Sequence, residues 1–400
     1  MSHQHKCFFR FICAFLFTFT TSFLISQKSF ADLYNYKIVV SGNGHIPCKD
    51  NQGTDLPPQQ YWDQIFDPGF GGKDMEVPTV ISNPTAAKKA SNITITFDFK
   101  ATDLGWNGTV QVLNATYGSD TVPASLLGSG QLNVAPNGWV TLQVNVGALP
   151  DKVHPAQDLL VSFVFTKQGQ GYSTLASMGP NLYLVYDTPA SPQIKPWLGV
   201  LNDVCTWAKD QNTASSVAQH STVKLNANSV FVYAPPPYYY ATYVPQGSTT
   251  GFQLKQFLAT SRPVVGNCYD VSCYLAICLS AVGLPTECTL WTAADPQFGA
   301  NFTSNQLVPI GQGGSPRNVY WSTHQTVAYN DKVYDSCSRI EKDYNGNFWG
   351  LPVYGWGINF FWQNPAWPHY GLTRNPGGVN DPHPALSASS RKNNPVSVAP

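Results

Sequence analysis

Hydrophobic and polar positions alternate one for one over much of the first half of the chain. Ile93, Ile95, Phe97 and Phe99 alternate with polar partners, as do Val140, Leu142, Val144 and Val146. A period of two is that of a strand with one buried face. Pro136-Asn137-Gly138 supplies a turn between such runs, and further runs lie at Tyr36 to Val40, Leu159 to Thr166 and Asn181 to Tyr186. Six or more runs punctuated by Gly, Asn and Pro predict an all-β sandwich over 33–187, two sheets burying their apolar faces against each other.

The period changes after Thr188-Pro189-Ala190-Ser191-Pro192 and Lys195-Pro196, a proline-spaced linker over 188–196. Trp197, Leu198, Leu201, Val204, Cys205 and Ala208 then fall on one helical face. A strand at Ser229 to Tyr233 leads into Ala234-Pro235-Pro236-Pro237-Tyr238-Tyr239-Tyr240, an extended aromatic loop, and Phe252 to Thr260 reads as a second helix. Val271, Leu275, Cys278, Leu279 and Val282 mark a third, stopped by Gly283 and Pro285. The fold class is therefore multidomain, with the sandwich followed by an α+β domain over 197–345. An aromatic-rich extension over 346–375, with Trp349, Trp356, Trp362 and Trp367, precedes a polar tail over 376–400 that is expected to be disordered.

The amino terminus alters the count. Lys6 and Arg10 precede a mostly apolar run from Phe11 to Ile25, and Ser29-Phe30-Ala31 follows as a small-x-small cleavage pattern. Residues 1–31 read as a signal peptide, which predicts a secreted, periplasmic or extracellular protein. The run is shorter than the roughly 20 apolar residues needed to span a bilayer, so no transmembrane segment is expected in the mature chain. Loss of Lys6, Arg10 and Lys28 leaves 20 basic against 23 acidic groups. That balance lacks the basic footprint of a nucleic-acid binder. Charged residues are 12% of the chain and aromatics 13%, so the surface must be polar but largely uncharged. Asn92, Asn107, Asn114 and Asn301 begin Asn-x-Ser/Thr sequons, which matter only in a host that glycosylates exported proteins.

Seven cysteines remain after residue 31: Cys48, Cys205, Cys268, Cys273, Cys278, Cys288 and Cys337. An oxidising destination permits bridges, and an odd number leaves one thiol over. Neither paired Cys-x-x-Cys knuckles nor a His-x-x-x-His helix motif is present, so no metal site is expected. The neighbourhood of Cys268 sets it apart. Asn267 is a good helix cap, which puts Cys268 at the first helical position, where the peptide dipoles favour a thiolate. That leaves Cys48, Cys205, Cys273, Cys278, Cys288 and Cys337 as bridge candidates or core residues, with 15 possible connectivities.

A thiol nucleophile needs a base. His324 ends an alternating run, and Asn330-Asp331 is a natural two-residue turn before Lys332-Val333-Tyr334-Asp335. In a hairpin with that loop Tyr329 faces Lys332 and Thr326 faces Asp335, so His324 and Asp335 become diagonal neighbours on one face. A three-residue loop would send Asp335 to the other face. Cys268, His324 and Asp335 thus form a nucleophile, base and orienter set. Oxyanion candidates are the Cys268 backbone N–H, Tyr240 and Trp207. Tyr238, Tyr239 and Trp321 are candidates for lining a substrate groove.

At these residues the chain resembles the transglutaminase-like family of cysteine enzymes. The family places its nucleophile in a Gly-x-Cys-x-Asp type sequence at a helix start, here Gly266 to Asp270, on a helix ending in Gly-Leu-Pro, here Gly283 to Pro285. Its His and Asp come from adjacent strands, the places of His324 and Asp335. Cys205-Thr206-Trp207-Ala208 and Phe252 to Leu258 look like further pieces of its core, and Gln325 stands where the family usually has an aromatic residue. The resemblance covers about residues 197–340. It implies a papain-like/transglutaminase-like domain and acyl transfer from peptide or glutamine carboxamides, by transamidation or deamidation. No cofactor is chemically required. A cysteine peptidase or amidase would use the same three residues. A non-enzymatic alternative is an inert core beside a sandwich that binds a carbohydrate or cell-surface ligand. The expected partner of the enzyme is a protein or peptide substrate.

Overall fold

The computed structural model describes residues 33–57, 59–61, 84–101, 105–169, 173–228, 230–233, 251–292, 302–303, 307–312, 320–321, 323–342, 348–357, 371–373, 382–384, 392–394 and 397–398. The expected signal peptide, Tyr238, Tyr239, Tyr240 and Asn301 lie outside these. The chain is rich in strand with four helices described, and it divides into two compact units. One comprises Met1–His45, Pro57–Pro150 and Gln157–Leu182; the other comprises Ile46–Leu56, Asp151–Ala156 and Tyr183–Pro400. Among the described residues no helix is long and apolar enough to cross a membrane.

The first unit is built from the alternating runs. Ile93–Ala101 lies between Leu33–Ser41 and Trp139–Val146, all antiparallel, with Val140 opposite Phe99 and Val146 opposite Ile93. A second sheet is centred on His154–Lys167, flanked by Trp106–Tyr117 and Ser173–Met178. Alternation sends Phe97, Phe99, Phe163 and Phe165 to the interior, where the Phe97 and Phe163 rings meet edge to face at 5.0 Å. This is sheet-on-sheet packing, driven by burial of the inward rings.

The second unit surrounds a buried helix. Four helices are described: α1 (Leu198–Trp207), α2 (Ala214–Ala227), α3 (Leu254–Ala259) and α4 (Cys268–Ala281). Every residue of α4 except Tyr269 is buried. A sheet packs beside it in the strand order Leu307–Pro309, Lys332–Lys342, Thr323–Tyr329, Glu287–Thr292, Lys392–Asn394, with Phe348–Gly357 also paired to Lys332–Lys342. Gly283, at φ +90°, lets the chain turn off α4, and a Cβ there would strike the Asp187 backbone carbon at 2.5 Å.

Several features depart from the sequence expectation. Helix α2 was not expected; it buries Val217, Ala218, Ser221, Thr222 and Leu225, too polar a face for a hydrophobic pattern to reveal. The stretch expected to be a linker is fastened to the second unit, with the Ala190 N–H donating to the Ser280 carbonyl at 2.9 Å. Part of the aromatic-rich extension is a sheet strand. The tail expected to be disordered adds Lys392–Asn394 to the free edge of Glu287–Thr292 and Ser397–Val398 to Gly251–Phe252. An open strand edge supplies unpaired N–H and C=O groups that a polar segment can satisfy.

The bridge expectation also gives way. Cys48, Cys205, Cys273, Cys278, Cys288 and Cys337 are free and buried, as is Cys268. The sulfurs of Cys273 and Cys288 stand 3.8 Å apart, nearly twice the length of a disulfide bond. These residues act as small apolar core side chains, and burial pushes the Cys278, Cys288 and Cys337 thiols well up from their ordinary range.

Candidate active site

The start of α4 is locally determined. Asn267, extended at φ −124°, accepts the Tyr269 N–H on its side-chain oxygen at 2.9 Å. Asp270 reaches back to accept the Asn267 N–H at 3.0 Å, completing a capping box. A Cβ on Gly266 would lie 2.8 Å from the Phe231 ring and 3.1 Å from the Asp270 Cβ, so the smallest residue leads into the cap. Cys268 therefore occupies the first helical position, where the backbone N–H has no acceptor inside the helix.

The hairpin that carries the histidine and aspartate turns at Asn330 and Asp331, at φ 49° and 56°. Positive φ at both positions belongs to the two-residue turn whose twist suits antiparallel strands. Tyr329 pairs with Lys332, Ala328 with Val333 and Val327 with Tyr334. In this register the His324 Nε2 meets the Asp335 Oδ2 at 2.8 Å, both side chains fully buried. The other carboxylate oxygen of Asp335 accepts the Cys337 N–H at 2.8 Å, which holds the carboxylate in place.

Burial alone would lower the His324 pKa. The Asp335 charge, the hydrogen bond to that carboxylate and a hydrogen-bonding interaction with Cys268 outweigh it and push the value up to about 9. Nε2 is committed to Asp335, which leaves Nδ1 as the ring nitrogen not engaged with the carboxylate.

Two contacts that sequence reasoning missed set how α4 meets the histidine strand. Ser272, one turn beyond Cys268, donates its hydroxyl to the Gln325 carbonyl at 2.6 Å. The buried Gln325 side-chain amide lies 3.3 Å from the Cys273 sulfur. On the far side the Ser336 hydroxyl donates to the Thr222 carbonyl at 3.0 Å and the Asn226 amide donates to the Ser336 carbonyl at 2.8 Å, clamping α2 to the aspartate strand. The sequence hints at this only through the small polar residues Ser215, Ser216, Ser221 and Thr222 of α2.

The structure thus brings His324 and Asp335 together and puts Cys268 at the start of α4. It places the other candidates elsewhere or leaves them undescribed. Trp207 is a core residue, packed edge-on against Tyr274, six positions past Cys268, at 6.4 Å. Its neighbourhood is that of Arg262, whose guanidinium pairs with Asp203 at 2.6 Å and so ties α1 to the strand leading into α4. Trp321 lies in the short strand Tyr320–Trp321, paired with Phe302–Thr303. Tyr238, Tyr239 and Tyr240 are outside the described residues. Among those that are described, no group of three or more His, Cys, Asp or Glu residues could hold a metal ion.

No family model matches the chain, and no curated protein matches it. Among solved structures, red sea bream transglutaminase overlaps 62% of this chain and 46% of its own at 12% identity, with a TM-score of 0.34. The chain therefore spans less than half the length of that protein. A family 123 glycoside hydrolase from Clostridium perfringens overlaps 25% of this chain and 22% of its own at 11% identity, with a TM-score of 0.19. A candidate cysteine protease from Cytophaga hutchinsonii overlaps 66% and 77% at 11% identity, with a TM-score of 0.18. Overlaps of this size establish neither a fold nor a chemistry for the chain.

Proposed function

We propose that the chain is a thiol acyl-transfer enzyme of the transglutaminase-like kind, acting on peptide or glutamine carboxamides through Cys268, His324 and Asp335. The single observation that carries this reading is a fully buried imidazole bonded through Nε2 to a carboxylate at 2.8 Å, with the charge environment of the helix-start thiol Cys268 raising the pKa of the ring further. An imidazole held by a carboxylate can take the proton of a thiol, and the thiolate so formed is the nucleophile. The thiolate adds to the carboxamide carbon, and the Cys268 N–H donates to the oxygen as it becomes anionic. His324 gives its proton to the leaving nitrogen, the C–N bond breaks, and ammonia or an amine departs from a thioester. Water or a second amine then loses a proton to His324 as it attacks the thioester, and the sulfur leaves. Asp335 holds the ring tautomer and stabilises the imidazolium throughout. The amino-terminal apolar run supports an exported protein, and the sandwich unit is a candidate holder of a carbohydrate or surface ligand.

The test is a glutamine-containing peptide offered with and without a primary amine, with ammonia release and product mass followed together. Ammonia release with conversion of glutamine to glutamate or to the amine adduct is expected, and Cys268→Ala should abolish it while the chain stays folded. Absence of any acyl transfer, or turnover retained without the sulfur, contradicts the reading.

A further inference from the structure

We propose that the second unit carries a separate binding site for an extended, acidic peptide segment. The site is a hollow of about 650 Å³, with Lys49, Lys195, Lys255 and Asp55 around an apolar floor of Ile194 and Trp197. All of these residues belong to the one unit.

Charge is the first argument. Lys195 pairs with Asp55, whose carboxyl is held below its usual range by the hydrogen bond from Lys195 and by the Lys195 and Lys49 charges. One carboxylate cannot neutralise three ammonium groups, so the residues lining the hollow carry two net positive charges. An anionic ligand is the complement.

The walls are also held in position before any ligand arrives. The Lys49 N–H bonds to the Pro196 carbonyl and the Leu198 N–H to the Lys49 carbonyl, both at 2.9 Å, so the segments bearing Lys49 and Lys195 lie side by side. The Asp50 side chain caps the following turn by accepting the Gln52 and Thr54 N–H groups, both at 2.8 Å. Binding to such walls loses little ordering entropy.

The floor selects a peptide over a sugar. Trp197 is only 5% exposed, and Gly53, at φ +83°, lies so close that a Cβ would come within 2.9 Å of the ring. The ring thus offers no open face for stacking a sugar, whereas Ile194, at 69% exposure, offers an aliphatic contact. Extended backbone already enters here: Ser397–Val398 runs parallel to Gly251–Phe252, and Val398 lines the hollow. An acidic peptide laid alongside would set its carboxylates on Lys49 and Lys255 and an apolar side chain on Ile194.

A fluorescein-labelled, glutamate-rich peptide with a central leucine, titrated into the full chain by anisotropy, tests the proposal. Cys268→Ala should bind it as the unaltered chain does, which separates this site from the thiol chemistry. Lys49→Gln with Lys255→Gln should weaken binding about tenfold, the sum of two exposed ion pairs. Asp55→Asn should tighten it about threefold by freeing Lys195, a gain that damage to the fold would not produce. No binding by the unaltered chain, equal binding by the double lysine variant, weaker binding by Asp55→Asn, or tighter binding of a sulfated oligosaccharide would each overturn the proposal.

Discussion

The two units bury different chemistry. In the sandwich the interior is apolar, and Thr85 is the one buried polar residue among those described there. In the other unit Asp270, Ser272, Thr289, His324, Gln325, Thr326, Asp335, Ser336 and Ser338 are all at most 2% exposed. An apolar interior stabilises in proportion to the area removed from water. Buried polar groups cost free energy unless each finds a partner, and here partners include Asp335 for His324, the Cys337 N–H for Asp335 and the Gln325 carbonyl for Ser272, so this unit carries a polar interior that the sandwich lacks.

Substitutions can break this contrast from either side. The largest effect expected is on Asp335: Asp335→Asn should lower acyl transfer by about 10³- to 10⁴-fold, because the amide cannot hold the imidazolium or its tautomer. Steady-state rates on a glutamine peptide would measure it, and a loss below tenfold would remove Asp335 from its role. On the sandwich side, Phe97→Ala should cost about 3–5 kcal/mol of that unit's stability by leaving a cavity opposite Phe163. Its alkylation rate at Cys268 should stay unchanged, as read by denaturant melts and thiol labelling of one preparation.

The titration of His324 gives the next effect. Its folded pKa of about 9 lies above the unfolded value of 6.5, so the stabilisation is complete below about pH 6.5 and disappears as pH rises through about 9. The magnitude is about 3 kcal/mol, from the size of the shift. Chemical denaturation across that window should show the slope in the unaltered chain and lose it in Asp335→Asn. Smallest is Ser272→Ala, which leaves the Gln325 carbonyl without its donor and should cost about 1–3 kcal/mol. It should also slow turnover more than it raises KM, since it loosens α4 against the histidine strand rather than touching substrate.

Legibility followed the same division. The sandwich was readable because Ile93 to Phe99 and Val140 to Val146 alternate without interruption, and a period-two pattern leaves few alternatives. Near the site, Asn267 and the Asn330-Asp331 turn were readable because a cap and a tight turn are decided by a few adjacent residues. What escaped depends on distant partners. Helix α2 presents Ser221 and Thr222 to the interior and is announced only by the Thr213–Ser216 capping box. The tail strands Lys392–Asn394 and Ser397–Val398 form against the edges that Glu287–Thr292 and Gly251–Phe252 offer. Cysteine parity cannot separate a bridge from seven packed thiols, since both leave the same spacing in the chain.

Alkylation of the folded, unreduced protein with iodoacetamide, mapped by mass at each cysteine, tests the central claim most directly. Cys268 is 5% exposed, Cys48 is 3% exposed and the other five are 0% exposed, so access differs little and a difference in rate reports thiol activation. Cys268 should label first and by a wide margin, and Asp335→Asn should slow it. Labelling of Cys268 no faster than its six neighbours would contradict the account.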